Sequence, residues 1–123
     1  LESDLLTIMR ACRNGTLADT EVKFSDGAAC CVIMASSGYP EHYEKGFAIT
    51  MPAETAANTY VAGAKRDNGR LLTSGGRVLG VTATAADLKS AVEKAYERVE
   101  SVQFENAFYR RDIGRRALEA LKQ

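Results

Sequence analysis

The sequence has no surplus of charge of either sign: 16 lysines and arginines are matched by 16 aspartates and glutamates over 123 residues. A protein that grips nucleic acid through its phosphates normally carries a basic excess, so that partner is disfavoured. No apolar run nears the ~20 residues of a membrane-spanning helix, and no signal peptide opens the chain. The expectation is a soluble, cytoplasmic protein with neither a membrane nor a nucleic-acid partner. Histidine is almost missing. His42 stands alone, remote in sequence from Cys12, Cys30 and Cys31, which leaves no metal-ligand spacing. Nor does it have a serine, cysteine or acidic partner at a diagnostic spacing, so it reads as an ordinary exposed side chain. Adjacent Cys30 and Cys31 would point to opposite faces of a strand and are poorly placed to bridge. All three cysteines are read as reduced thiols acting as small core hydrophobes. The chain starts at Leu1 rather than a methionine, and we expect it to be a piece of something longer, with one domain able to bury a core.

Ser3 can cap a first helix, in which Leu5, Ile8, Met9 and Cys12 recur at three- and four-residue steps before Asn14-Gly15 stops it. Barely three turns long, such a helix is marginal alone and must dock its stripe on something. After Leu17 the period changes. Residues 21–24 alternate, Ser25-Asp26-Gly27 reads as a hairpin turn, and the apolar run 28–35 predicts a strand buried on both faces. Residues 36–46 form a loop by their glycines, proline and polar groups. Phe47-Ala48-Ile49 is a short alternation stopped by Pro52, and residues 53–58 are a connector or one loose helical turn. Three strands then follow: residues 59–64, a turn at Asp67-Asn68-Gly69, Leu71-Leu72-Thr73, a turn at Gly75-Gly76, and residues 77–83. Paired in order, they make an antiparallel meander.

Thr84 with Asp87 three residues on resembles a capping box. Behind it Leu88, Val92, Ala95, Tyr96, Val99 and Val102 line one helical face, and Lys89, Glu93, Lys94, Glu97, Arg98 and Glu100 the other. The predicted class is α+β: a small antiparallel sheet, meandering and partly barrel-like, covered by this amphipathic helix. The tail sets Phe104, Phe108 and Tyr109 beside four arginines, a composition that suits stacking on nucleic acid. With zero net charge and Asp112 among the arginines, we expect instead that the aromatics pack under the sheet and an arginine ties to a carboxylate.

The stretch with most chemistry in it is Ser74-Gly75-Gly76-Arg77. Paired glycines let a ligand or another backbone approach, and an arginine beside them offers a rigid five-donor head to phosphate or carboxylate. By itself a glycine-glycine-arginine turn remains open between a ligand site and a plain turn.

Residues 36–46, S-S-G-Y-P-E-H-Y-E-K-G, resemble the S-G-G-Y-P-x-x-Y-x-K-G segment of the phosphoribosylamine–glycine ligase family, also called glycinamide ribonucleotide synthetase. Ala62-Gly63-Ala64-Lys65, the Gly69 hairpin, residues 72–83 and Phe108-Tyr109-Arg110-Arg111-Asp112-Ile113-Gly114 follow in that family's order. Tyr60-Val61 replaces its usual phenylalanine-histidine, and Ser37 a usual glycine. The resemblance implies the carboxy-terminal domain of an ATP-grasp enzyme of purine synthesis, which uses ATP and magnesium or manganese to join glycine to 5-phosphoribosylamine. It further implies that residues 1–20 are a terminal helix left from the ATP-grasp domain and residues 21–123 the substrate-side domain. The family's ATP and metal sites lie upstream of Leu1, so this piece is expected to be inert alone, to bind neither ATP nor metal, and to have the ATP-grasp domain of the same polypeptide as its partner. By motif position, Lys65 and Arg77 would hold the substrate phosphate, with Gly75 and Gly76 as supporting backbone and Gly38, Tyr39 and Pro40 as a candidate active-site loop. A non-catalytic binding or interaction module with the same fold stays open beside it.

Overall fold

The computed structural model describes residues 1–121, so the last two positions of the segment expected at 21–123 lie outside the described residues. Asp4, not Ser3, caps the first helix, α1 (Leu5–Asn14): its carboxylate accepts from the Thr7 backbone N–H at 2.7 Å and the Thr7 hydroxyl at 2.8 Å. Ser3 is used elsewhere, its Oγ accepting from the Lys23 N–H. Gly15, at φ 72°, closes the helix in the left-handed conformation expected of it. Only Ala11 of α1 is buried, against a single turn at Leu17–Asp19, while Leu5, Leu6 and Met9 stay exposed. Among the described residues the stripe is thus left mostly uncovered, with Ile8 half-buried.

The sheet grows around two nine-residue strands, β1 (Ala28–Ser36) and β5 (Arg77–Ala85), which pair antiparallel from Ala28↔Ala85 to Ala35↔Arg77. β1 is covered on one face, not both. Cys30, Val32 and Met34 are buried, whereas Ala29, Cys31 and Ile33 are exposed, because helix α3 (Leu88–Glu100) lies on one side only. Of the thiols, only Cys30 is in the core, where burial raises its pKa; Cys12 and Cys31 are exposed, which corrects the reading of all three as core residues.

The meander is also corrected. The strand expected at 59–64 breaks after Val61, so β2 (Thr59–Val61) pairs with β5, while β3 (Ala64–Asp67) and β4 (Arg70–Thr73) form a separate hairpin about Asn68-Gly69. β4 does not reach β5, because the two edges of β5 are taken by β1 and β2. The main sheet has the order β2-β5-β1-β6, with β6 (Ala107–Tyr109) at the far edge. Residues 21–24 form no strand, and residues 53–58 supply one short helix, α2 (Ala53–Ala56). Even so, the α+β class and the helix-covered antiparallel sheet stand.

α3 begins at Asp87, which itself is the cap, while β5 runs on through Thr84 to Ala85. Ala91, Val92, Ala95 and Val99 then meet Val32, Met34, Leu79, Val81 and Ala83 in the core. The Asp87 carboxylate accepts from the Ser90 N–H at 2.9 Å and the Ser90 hydroxyl at 2.7 Å, and these bonds hold it below its ordinary pKa. A depressed folded-state pKa means stability that is present above the unfolded value and lost as pH falls through the folded one. Asp87→Ala is thus expected to lower the melting temperature at neutral pH and to flatten its fall on acidification below the ordinary carboxylate range; equal acid sensitivity in both proteins would contradict it.

In the tail Phe104 is buried, but Phe108 is 55% exposed, so the aromatics do not all pack under the sheet. The expected arginine–carboxylate tie is Arg110 to Asp112, bidentate at 2.9 and 2.7 Å. The Tyr96 hydroxyl pins the same segment, donating to the Arg110 carbonyl and accepting from the Ile113 N–H. A last helix, α4 (Arg115–Ala120), follows.

Candidate functional site

The site is built where three chain segments meet at the start of β5. The β1–β5 pairing slips between Met34 and Ala35, leaving Val78 as an extra, unpaired residue. Such a bulge re-aims neighbouring side chains. Here Val78 and Leu79 both enter the core with no exposed surface, while Arg77 remains exposed at the end of the strand.

Residues 62–63 are the second segment. The Gly63 N–H donates to the Arg77 carbonyl at 2.8 Å, and the Gly63 carbonyl accepts from the N–H groups of Ser74 at 2.8 Å and Gly75 at 3.0 Å. The backbones approach so closely that a Cβ on Gly63 would fall 2.5 Å from the Arg77 carbonyl oxygen and 2.7 Å from the Gly75 Cα.

The third segment is the loop 36–47, and both of its ends are fastened to residues 73–76. At one end the Ser36 N–H donates to the Gly76 carbonyl at 2.8 Å and the Ser36 hydroxyl to the Gly75 carbonyl at 3.1 Å. At the other, the Gly46 N–H donates to the Thr73 carbonyl, the Phe47 N–H to the Thr73 hydroxyl, and the Thr73 N–H to the Phe47 carbonyl. Between these ends the loop packs on itself: Tyr39 meets Tyr43 edge-on at 6.0 Å, and the Lys45 ammonium lies 5.4 Å over the Tyr43 ring. Gly38 has φ 90° and lies against the His42 carbonyl, where no side chain fits.

Together Ile33, Tyr39, Ala62, Gly63, Gly76 and Arg77 line an open cleft of about 470 Å³. The ion pairs among the described residues are Lys23–Glu21, Lys89–Glu93, Arg110–Asp112 and Arg115–Glu119, so Arg77 and Lys65 have no carboxylate partner. An exposed arginine sharing a cleft with glycine backbone and apolar side walls suits a small anionic ligand such as a phosphate ester.

The expected residues are partly gathered. Tyr39, Gly76 and Arg77 share the cleft, with Gly75 stacked on Gly63 behind it, and Pro40 continues the loop. Lys65 is exposed on β3, opposite Leu72, and is not part of the cleft wall. Gly63, Ser36 and Thr73 were not singled out from sequence, although they hold the three segments together. All three lie within the motif segments 36–46, 62–65 and 72–83, which is the signal that could have pointed to them. No group of three or more histidines, cysteines, aspartates or glutamates among the described residues is placed to hold a metal ion, and no helix among them is long and apolar enough to cross a membrane.

Residues 29–116 match the family model described as phosphoribosylglycinamide synthetase, C domain. The chain is 46% identical over 120 residues to the phosphoribosylamine–glycine ligase of Rhizobium meliloti, covering 96% of this chain and 28% of that protein. To the enzyme of the same name from Chlorobaculum tepidum it is 43% identical over 122 residues, covering 96% and 29%. A crystal structure of phosphoribosylamine–glycine ligase from Thermotoga maritima superposes with a TM-score of 0.71 at 36% identity, over 85% of this chain and 27% of that one. The chain thus spans a little over a quarter of the length of the curated relatives it matches.

Proposed function

Because the chain belongs to the phosphoribosylglycinamide synthetase C-domain family, we propose that it serves as the substrate-side domain of an ATP-dependent ligase joining glycine to 5-phosphoribosylamine, in the cytoplasm. The observation that carries this reading is the unpaired Arg77 guanidinium at a cleft whose backbone wall is glycine. Arg77 takes the 5-phosphate with paired, charge-assisted hydrogen bonds. Lys65, on the adjoining hairpin, adds a second positive charge from outside the cleft wall. Fixing the phosphate orients the sugar amine toward the activated glycine, and orientation of that kind can account for several kcal/mol of a barrier.

ATP, with magnesium, would supply the phosphoryl group that activates the glycine carboxylate. The described residues do not fit that metal: the cleft lining contains no carboxylate, and no group of three or more histidines, cysteines, aspartates or glutamates among them is placed to hold it. We therefore assign the ATP and metal sites to an ATP-grasp portion of the same polypeptide and expect the 123-residue chain to be inert by itself. Residues 1–20 are read as a helix of that portion, a reading supported by the start of the family match at residue 29 and by the exposed α1 stripe.

Arg77→Ala, placed in the whole ligase, is expected to raise the KM for phosphoribosylamine about 10- to 100-fold, the usual loss for a hydrogen bond to a charged group. The KM for ATP should change little. An unaltered KM for phosphoribosylamine would sink the assignment.

A further inference from the structure

Gly76 is buried, and its missing side chain has a specific occupant. A Cβ there would overlap the Tyr39 ring, falling 2.6 Å from its Cε2 and 2.9 Å from its Cγ. The ring therefore lies directly on the Gly76 backbone, next to the residue that bears the free guanidinium. It is itself 40% exposed, held on the loop side by Tyr43 and by the bonds that anchor residues 36 and 46–47 to residues 73–76. No hydrogen bond ties the Tyr39 hydroxyl to the protein among the described residues, so its contribution there is the van der Waals contact of the ring, through its Cδ2–Cε2 side.

We propose that Tyr39 is a positioning residue: its ring, seated on Gly76, fixes the 74–77 turn and thereby the direction in which Arg77 meets its anion. This rests on the phosphate-site reading for the identity of the ligand, but the seating of the ring stands apart from it. Without the ring, the turn keeps its bonds to Gly63 and Ser36 yet loses the surface that limits its motion, and Arg77 samples directions that miss the ligand. Displacement by even an ångström is enough to weaken an oriented contact substantially.

The test uses NMR on the 123-residue chain, with ribose 5-phosphate as the probe and inorganic phosphate as the comparison. The Gly76 Hα resonances should carry a ring-current shift in the wild-type chain, lose that shift in Tyr39→Ala, and recover it in Tyr39→Phe. Affinity for ribose 5-phosphate is expected to fall on the order of tenfold in Tyr39→Ala, with most of it regained in Tyr39→Phe. Gly76→Ala, which expels the ring, should weaken binding similarly, and the double variant Tyr39→Ala/Gly76→Ala should be no worse than Tyr39→Ala. If the shift is present and ring-dependent but the wild-type chain does not bind ribose 5-phosphate, the phosphate reading fails while the seating of the ring stands. If Gly76 and Arg77 have the same shifts and the same backbone dynamics with and without the ring, the proposal is overturned.

Discussion

Gly63→Ala should be among the most damaging single-methyl changes at the cleft, lowering stability by about 3 kcal/mol and abolishing the proposed anion site with it. The added methyl would meet the Arg77 carbonyl oxygen at 2.5 Å and the Gly75 Cα and N at 2.7 and 3.0 Å. All three are backbone atoms, and the Arg77 carbonyl and the Gly75 N–H among them are already hydrogen-bonded to Gly63 itself. A flexible side chain could swing aside; a bonded backbone has to shift as a unit. Relieving the overlap would push residues 62–63 away from the 75–77 turn and break the bonds that hold the turn to them. Urea denaturation gives the stability loss, and the amide resonances of residues 74–77 should move far more than those of α3. A variant as stable as the parent, with those resonances in place, would show that the three segments are looser than the distances indicate.

Leu79→Ala should cost about 3–4 kcal/mol, in the range measured for large-to-small changes at fully enclosed sites. Leu79 has no exposed surface, sits opposite Met34 across the β1–β5 ladder and opposite Val61 across the β2–β5 ladder, and belongs to the core beneath α3. The void would open in the middle of the sheet, where neighbours on both sides are tied by ladder bonds and collapse poorly. Ile33→Ala, on the uncovered side of the same sheet and 44% exposed, should cost much less. Denaturation midpoints of the two variants check the contrast. Equal losses would mean that the outer face of the sheet is as tightly packed as the inner one.

That contrast also marks where the sequence could be read and where it could not. The apolar run 28–35 reads as double-sided because Ala29, Cys31 and Ile33 are apolar, but these three are exposed and no helix among the described residues covers their side of the sheet. Composition reports what a residue tolerates, and coverage depends on what else packs there. The same holds for α1, whose stripe is legible while Leu5, Leu6 and Met9 stay exposed among the described residues. The cap expected at Ser3 falls one residue on, at Asp4, because only the geometry of the Thr7 bonds decides which side chain reaches the helix start. By contrast, the Asn68-Gly69 turn, the Gly15 stop and the α3 stripe were legible, since each is fixed by residues within a few positions of one another.

The sequence by itself determined the class of fold, an antiparallel sheet under an amphipathic helix, together with the Gly15 stop and the Asn68-Gly69 turn, because periodicity and turn chemistry are short-range physics. It also singled out Arg77 with its two glycines and, by resemblance, the family. Only the tertiary structure decided that β5 runs between β1 and β2 rather than beside β4, since alternation says which side chains share a face and nothing about which strand lies alongside. It alone placed Tyr39 on Gly76 and Gly63 against Gly75, contacts that exist because the chain closes loops whose ends carry no mutual signal. Lys65, paired with Arg77 by motif, was left outside the cleft wall for the same reason: it belongs to the separate β3–β4 hairpin, whose placement the local sequence does not encode.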